Sequence, residues 1–424
     1  MKKIKGLTRR ALLSGTAISV IPASSIAQSI NEGSPAWMKT PGESFNEYGL
    51  PSSQEINTKR EIFQPYEEYA PGAGVAMTPL EKLEGIITPN GLHFERSHNG
   101  VPNIDAKQHE LLIHGLVETP LVFKIEDLLK YPMETKTYFI ECGGNSFYNS
   151  NAFPIAIDRT CGSIHGLIST SEWTGVPLKN ILKEAGIKKE ALWLLAEGAD
   201  AGAMSRSIPL EKALDDTLIA LYQNGERIRP EQGYPIRLVV PGWEGNISIK
   251  WLRRIKLTKK PTYTKDETSK YSDLLANGKT LQFTFPMEVK SVITQPTAGA
   301  IPLKKGPIHI TGLAWSGLGK IKKVEVSTDK GKTWNTAQID GANQQLSPVR
   351  FRYNWIWNGE ECSIESRATD SKNNVQPQRK DWSIKYGLGH LYHNNSIQIW
   401  RIMPDGQIYN EYDDLAQNEK WSEE

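Results

Sequence analysis

The stretch Thr137-Tyr-Phe-Ile-Glu-Cys-Gly-Gly-Asn-Ser146 joins an apolar run to a glycine turn and places a single cysteine at the junction. Tyr138 to Ile140 are aromatic or β-branched, which predicts a short strand. Gly143 and Gly144 allow backbone angles and a close approach that a Cβ would prevent. The pattern therefore presents Cys142 at a strand end, where a thiolate is able to bind a soft metal with a bulky ligand beside it. A lone cysteine equally fits a small apolar core residue, so this stretch alone leaves both interpretations open.

The first 27 residues have the features of an export signal. Met1 to Arg10 carries five basic residues and no acidic one, and the run from Ala11 to Ala27 is apolar and rich in small residues. The pair Arg9-Arg10 matches the twin-arginine pattern, which predicts cleavage before Gln28 and a periplasmic protein. An N-terminal anchor helix is the alternative, but the run is shorter than the ~20 apolar residues that a spanning helix needs. Twin-arginine export carries folded proteins, which suggests a cofactor inserted in the cytoplasm, and we expect no membrane span after processing.

Charge and cysteine content exclude several classes of protein. The chain has 50 basic and 48 acidic residues, and loss of the five basic residues of the leader makes the mature chain slightly acidic, so nothing indicates a nucleic-acid partner. Three cysteines are an odd and sparse set for an exported protein, which argues against a disulfide framework. The sequence contains no C-x-x-C-H, C-x-x-C or H-E-x-x-H, so it predicts neither a c-type haem of its own nor a conventional zinc site.

The mature chain is too long for one ordinary core, and its pattern changes along its length. Residues 28–85 lack sustained periodicity and predict an extended N-terminal segment. Residues 86–287 mix apolar strands with short amphipathic helices, which predicts an α+β domain. Residues 288–410 alternate strands with turns, which favours an immunoglobulin-like β-sandwich, although no cysteine pair of that fold is present. Residues 411–424 form a polar tail.

Basic residues also occur beside glycine-rich or proline-containing loops. Arg96 and His98 precede Pro102, and the loop from Pro241 to Asn246 leads into the basic stretch Lys250 to Arg254. Guanidinium groups and loop amides are suited to bind a phosphate or an oxyanion. Ordinary surface charge is the alternative, and it is the preferred interpretation for Arg253 in that stretch.

These residues together resemble the sulfite oxidase family of molybdenum enzymes. The motifs that carry the resemblance run in order along nearly all of the mature chain: F-x-R-x-H (94–98), C-x-G-N (142–145), S-x-W-x-G-V-P-L (171–178), S-I-P-L (207–210), G-Y-P-I-R-L-V-V-P-G-W-x-G (233–245) and K-W-L-x-R-I (250–255). Within the family, the segments at 203–209, 268–271 and 289–294 most resemble sulfane dehydrogenase subunits of the SoxC type, which serve bacterial sulfur oxidation.

The resemblance implies a fold, a cofactor and partners. The fold is a mixed α/β molybdopterin-binding domain followed by an immunoglobulin-like dimerisation domain. The cofactor is molybdenum held by one dithiolene pterin (molybdopterin), two oxygen ligands and one protein thiolate, for which Cys142 occupies the family's position. The implied activity is sulfane or sulfite oxidation. The implied partners are a c-type cytochrome, dihaem and SoxD-like, and a sulfur-carrier protein, in a homodimer or hetero-oligomer.

By the same resemblance, residues are expected at the cofactor and the substrate. Arg96 and His98 would touch the pterin and the oxyanion pocket, Arg237 and Lys250 would hold the pterin phosphate or its neighbourhood, and Asp200 would hydrogen-bond the cofactor. Arg206, part of the SoxC-like pattern, would add a positive charge for catalysis, with an exposed salt bridge as the alternative. Cys161 and Cys362 fit no such motif and are expected to be fillers or free thiols.

Two departures from sulfite-oxidising members predict an altered substrate pocket. Those members commonly carry arginine just after C-x-G-N, where this chain has Ser146 and Phe147, and an active-site tyrosine where it has Met204. Charge-assisted bonds are roughly twice as strong as neutral ones, so a lost guanidinium weakens the binding of a free dianion. Two other functions stay open at this point: an exported sulfoxide reductase-like enzyme with the same cofactor, and a non-catalytic periplasmic scaffold subunit in which Cys142 is structural.

Overall fold

The computed structural model describes residues 34–65, 67–150, 157–387 and 389–411. The predicted signal peptide and all but the first residue of the predicted tail lie outside these ranges. The chain divides into two compact units, Met1–Asn57 and Thr58–Glu424. The described part of the first unit contains two short 3-10 helices, Ala36–Met38 and Ser53–Glu55, and neither buries a residue.

The first half of the second unit combines sheets with short helices. Its strands are β1 Glu61–Phe63, β2 Gly74–Met77, β3 Glu95–Ser97, β4 Glu110–Gly115, β5 Leu121–Lys124, β6 Glu134–Glu141, β7 Ile168–Pro177, β8 Trp193–Gly198, β9 Ser205–Pro209, β10 Leu218–Gln223, β11 Glu226–Arg227, β12 Arg237–Val239, β13 Leu252–Thr258, β14 Ser272–Leu274 and β15 Thr280–Gln282. Its α-helices are α1 Ile125–Leu128, α2 Cys161–His165, α3 Leu178–Ala185, α4 Leu210–Asp215 and α5 Lys265–Ser269.

Two five-stranded sheets form the framework of this half. One has the order β11-β10-β7-β6 with β12 paired to β10, and the other has the order β5-β4-β13-β8-β9, in which β13 runs parallel to β4. Helix α3 shows why the local sequence folds in this way. Its buried residues, Leu178, Ile181, Leu182 and Ala185, recur at the spacing of one helical face, and Gly186 ends the helix with a φ of 71°.

The second half is a β-sandwich. Its strands are β16 Lys290–Gln295, β17 Gly306–Trp315, β18 Ile321–Ser327, β19 Asn335–Thr336, β20 Gln338–Asp340, β21 Val349–Trp357, β22 Cys362–Asp370, β23 Ile399–Ile402 and β24 Ile408–Glu411, with helix α6 at Arg379–Tyr386. They form an antiparallel sheet of order β16-β17-β21-β20 and another of order β19-β18-β22-β23-β24. Trp315, Phe351 and Trp400 lie fully buried in the shared core. The predicted fold class, an α+β domain followed by an immunoglobulin-like sandwich, is confirmed.

One apolar core continues from the sandwich into the mixed half. Phe139 of β6 and Cys161 of α2 pack in the same cluster as Trp315. This places the end of β6, with its cysteine, where the two halves meet.

Candidate active site

The Cys142 turn is held by backbone hydrogen bonds on both sides of the cysteine. The amide of Cys142 donates to the carbonyl of Leu167 at 2.9 Å, and the amide of Asn145 closes the turn by donating to the carbonyl of Cys142 at 2.9 Å. A Cβ on Gly143 would come within 2.9 Å of Glu244 Oε1, so this position favours glycine. Cys142 is half-buried, and burial raises the pKa of its thiol. A thiolate at this place therefore needs a cation beside it, which a metal ion would provide.

A cavity opens beside this cysteine. It is lined by six of the residues expected from the sequence: Arg96, His98, Cys142, Asp200, Arg237 and Lys250. Strands β3, β6, β8 and β12 are far apart in sequence, but each has an end at the cavity. The folded chain therefore brings residues in or next to these strands together. The fold thus brings together every expected cofactor-binding residue.

Arg237 and Lys250 give this cavity unusual electrostatics. Arg237 is 3% exposed, and its guanidinium donates to the carbonyls of Gln232 and Ser248, each at 3.0 Å. Lys250 Nζ donates to the carbonyl of Glu231 at 2.9 Å, and burial lowers the pKa of this amine to about 8. In the part of the chain that the structure describes, neither cation lies within ion-pair distance of a carboxylate. Two cations whose hydrogen bonds go to neutral oxygens are suited to an anionic ligand.

His98 links a second group of polar side chains. Its Nδ1 lies 3.0 Å from Arg96 Nη2 and 3.2 Å from Lys270 Nζ, while its Nε2 lies 3.1 Å from the hydroxyl of Tyr271. Burial, with the nearby charges of Arg96 and Lys270, lowers the pKa of His98 to about 3, so the ring is neutral near pH 7. Arg96 and Lys270 only donate, so Nδ1 accepts and Nε2 donates to the phenol oxygen.

Tyr271 is a pocket residue that the sequence reasoning did not assign to the site. It is 6% exposed, lines the cavity and lies with its ring 4.6 Å from the guanidinium carbon of Arg206. The only signal for it in the sequence was its place in the 268–271 segment of the family resemblance.

Arg206 lies outside the cavity lining. It is 1% exposed and pairs with Glu267 Oε1 at 3.0 Å and Glu244 Oε2 at 3.4 Å. The alternative of an exposed salt bridge is wrong, because the pair is buried. Arg206 is therefore a buried, paired cation and not the free positive charge expected for catalysis; its contact with the pocket is the Tyr271 ring.

Of the two departures from sulfite-oxidising members, the structure places only Met204 at the cavity. Met204 lines the cavity, as expected. Ser146 and Phe147 do not: Ser146 is 1% exposed and bonds to His165 and Lys290, and Phe147 stacks on Phe63 with ring centres 5.9 Å apart. The expectation that both shape the substrate pocket is wrong, because Ser146 adopts a φ of 75° and turns the chain away from the cavity.

The residues present fit a molybdenum–pterin group. The cations Arg237 and Lys250 suit a pterin phosphate, and Cys142 offers one thiolate on the same cavity wall. Cys161 is fully buried and Cys362 is half-buried on β22, and neither lines the cavity. No helix among the described residues is long and apolar enough to cross a membrane.

Comparison with known proteins identifies the two domains of the chain. The family model of the oxidoreductase molybdopterin-binding domain matches residues 98–265, and that of the Mo-co oxidoreductase dimerisation domain matches residues 282–400. The crystal structure of the sulfane dehydrogenase SoxCD from Paracoccus pantotrophus superposes with a TM-score of 0.85 and 41% sequence identity, covering 94% of this chain and 100% of that chain.

Curated relatives extend the likeness. The chain is 34% identical over 350 residues to an NADH nitrate reductase of Cichorium intybus and 31% identical over 354 residues to mitochondrial sulfite oxidase of Mus musculus, covering 72% and 76% of this chain. It spans only 38% of that nitrate reductase and 64% of that sulfite oxidase. The predicted family and cofactor class are confirmed: this chain belongs to the sulfite oxidase family of molybdopterin-dependent oxidoreductases.

Proposed function

We propose that this chain is the molybdenum subunit of a periplasmic sulfane or sulfite dehydrogenase that passes electrons to a c-type cytochrome. The observation that carries the proposal is the likeness to SoxCD, which extends over 94% of this chain at 41% identity. The geometry of the cavity supports it, since the cysteine, the phosphate-binding cations and the His98 group surround one space.

Each group has a distinct role in this proposal. Cys142 ligates the metal, and Arg237 and Lys250 bind the pterin phosphate with charge-assisted bonds. Arg96 and the His98–Tyr271 pair orient an oxidised sulfur group and stabilise the negative charge that develops on it. The bound cofactor supplies the two-electron oxidation of sulfur. The protein positions the substrate and supplies the electric field of its charged side chains.

The pocket favours sulfur carried by a partner protein over free sulfite. Met204 lines the cavity where sulfite-oxidising members commonly carry tyrosine, so one hydroxyl donor is missing from that wall. A carrier protein makes contacts of its own, and that binding energy compensates for fewer donors at the reacting atoms.

The electrons must pass to an acceptor, and no C-x-x-C-H motif for a c-type haem occurs in the given sequence. We infer that a dihaem, SoxD-like cytochrome accepts them. The second family model, a dimerisation domain over residues 282–400, supports assembly as a homodimer or hetero-oligomer.

The test is a steady-state assay of the purified chain with a cytochrome partner, comparing free sulfite with a carrier that bears a persulfide. We expect efficient turnover of the carrier and a high KM for sulfite, which Met204→Tyr should lower. The control is Met403→Tyr, in the turn between β23 and β24. A KM for free sulfite near 1 μM in the unmodified protein, at the low end of the usual ~1 μM to 1 mM range, would contradict the substrate assignment. A purified protein without molybdenum would instead indicate a scaffold subunit.

A further inference from the structure

The sandwich half supplies much of what holds the Cys142 turn. Trp315 Nε1 donates to Oε2 of Glu141, the residue directly before Cys142, at 2.6 Å. Lys290 Nζ lies 3.4 Å from Glu141 Oε1 and 2.7 Å from Ser146 Oγ, so one side chain contacts both ends of the turn. The amide of His393 donates to the carbonyl of Gly143 at 2.9 Å.

The hydrogen bonds beyond Ser146 have a defined direction. Lys290 only donates, so Ser146 Oγ accepts from it and donates to His165 Nδ1 at 2.7 Å. His165 Nε2 then donates to Gln398 Oε1 at 2.9 Å. Lys290, Ser146 and His165 are each 1% or 2% exposed. A buried network in which every member has a partner holds one arrangement of the turn.

The ammonium group of Lys290 lies beside a position of the turn at which the sequence departs from sulfite-oxidising members. Sulfite-oxidising members commonly carry arginine just after C-x-G-N, where this chain has Ser146 and Phe147. In this chain, Lys290 of strand β16 in the sandwich places its ammonium group 2.7 Å from the hydroxyl of Ser146. The cation is therefore retained near the turn, but the second half of the molecule provides it.

We propose that Lys290 is a positioning residue for the cofactor: through Glu141 and Ser146 it sets the geometry of the cysteine ligand, and its ammonium group balances the Glu141 carboxylate that precedes this ligand. This proposal rests on the proposed function, in which Cys142 ligates molybdenum. Reduction adds negative charge to the centre, so a variant that leaves the Glu141 carboxylate without its cation should have a lower midpoint potential.

The test uses the cofactor-loaded protein and three variants. Lys290→Gln should retain molybdenum but show a lower midpoint potential, an altered Mo(V) electron paramagnetic resonance spectrum and a kcat reduced roughly ten- to hundredfold, the scale of a small misplacement. Ser146→Arg combined with Lys290→Gln returns a cation to the turn and should restore the midpoint. Lys290→Arg keeps the charge and should stay close to the unmodified protein.

The matched control is Arg350→Gln. Arg350 is also a buried cation of the sandwich, at 3% exposure, but it bonds to Thr294 Oγ1 at 2.9 Å and to the carbonyl of Gly85 at 2.8 Å, away from the turn. Its loss should lower Tm without changing the midpoint potential or the Mo(V) spectrum.

A Lys290→Gln protein that has a lower Tm but an unchanged midpoint and spectrum would overturn the proposal, since the lysine would then be only structural. If Lys290→Gln does not fold, the double variant decides: a wild-type midpoint supports the proposal, and a shifted midpoint or failure to fold overturns it. Cys142→Ser, measured in parallel, separates the two hypotheses, because an unchanged Mo(V) spectrum in that variant would contradict the proposed function itself.

Discussion

At the scale of single residues, Cys142 combines two opposing requirements. Burial raises the pKa of its thiol, whereas a metal ligand must be a thiolate. The family's cofactor reconciles them, because the metal is the cation that stabilises the deprotonated sulfur. Cys142 lies at the cavity wall, as a ligand must, whereas Cys161 is 0% exposed and lies in the apolar core.

Cys142→Ser should keep the fold and lose nearly all turnover, a larger effect than the roughly 10- to 100-fold that changes around a metal site cost. Circular dichroism, molybdenum content and kcat would check this. Cys362→Ser is the control, with normal turnover and a stability change of about 1 kcal/mol or less. Wild-type activity in Cys142→Ser would remove the assignment of this cysteine.

Lys250 makes anion binding sensitive to pH. Burial lowers the pKa of its amine to about 8, so the group loses its charge as pH rises through that value. In cofactor-free protein, affinity for sulfate, which stays a dianion, should fall about tenfold between about pH 7 and pH 9, as expected for one lost charged hydrogen bond. Calorimetric titration would measure it, and Lys250→Met should bind weakly with a flatter pH profile. A profile as steep in Lys250→Met as in the unmodified protein would assign the effect to another group.

At the scale of elements, two glycine turns meet where the mixed half contacts the sandwich. Gly242 follows β12 with a φ of 76°, and Gly317 follows β17. A Cβ on Gly317 would lie 1.9 Å from the carbonyl oxygen of Gly242, and the amide of Gly317 donates to the carbonyl of Met287 at 2.8 Å. The two backbone segments approach so closely that only glycine fits at position 317.

Gly317→Ala should therefore destabilise the protein by about 1 to 3 kcal/mol, the usual cost of overpacking, and thermal denaturation would measure the loss. Gly389→Ala is the matched control, because no atom lies within 4 Å of a Cβ at that position. Equal Tm values for the two variants would show that the two turns move apart without loss of stability.

Local patterns in the sequence predicted much of this framework. The aromatic strand ending at Glu141, the glycine turn and the amphipathic α3 depend on neighbours in sequence, so the pattern of side chains reveals them. The contacts between halves do not: Lys290 meets Ser146 across 144 positions, and only the folded chain brings them together. For the same reason the sequence placed Ser146 and Phe147 in the pocket and did not select Tyr271.

At the scale of the whole molecule, the cavity depends on the complete fold. Its lining extends from His93 to Tyr271, and the Cys142 turn also requires Lys290 and His393 from the sandwich. A pterin group bound among these residues would contact segments that only the folded chain brings together. We expect folding and cofactor insertion to take place in the same compartment.

The export signal expected at residues 1–27 agrees with this order of events. Twin-arginine export accepts folded proteins, so a chain that acquires its cofactor in the cytoplasm needs that route. Replacing Arg9 and Arg10 with lysine should trap folded, molybdenum-loaded protein in the cytoplasm, and cell fractionation with metal analysis would detect it. Replacement of Lys2 and Lys3 with arginine, which leaves the Arg9-Arg10 pair intact, should keep periplasmic yield normal. Normal periplasmic yield in the Arg9 and Arg10 variant would mean that the general secretory route carries the chain, and the cofactor would then have to enter after export.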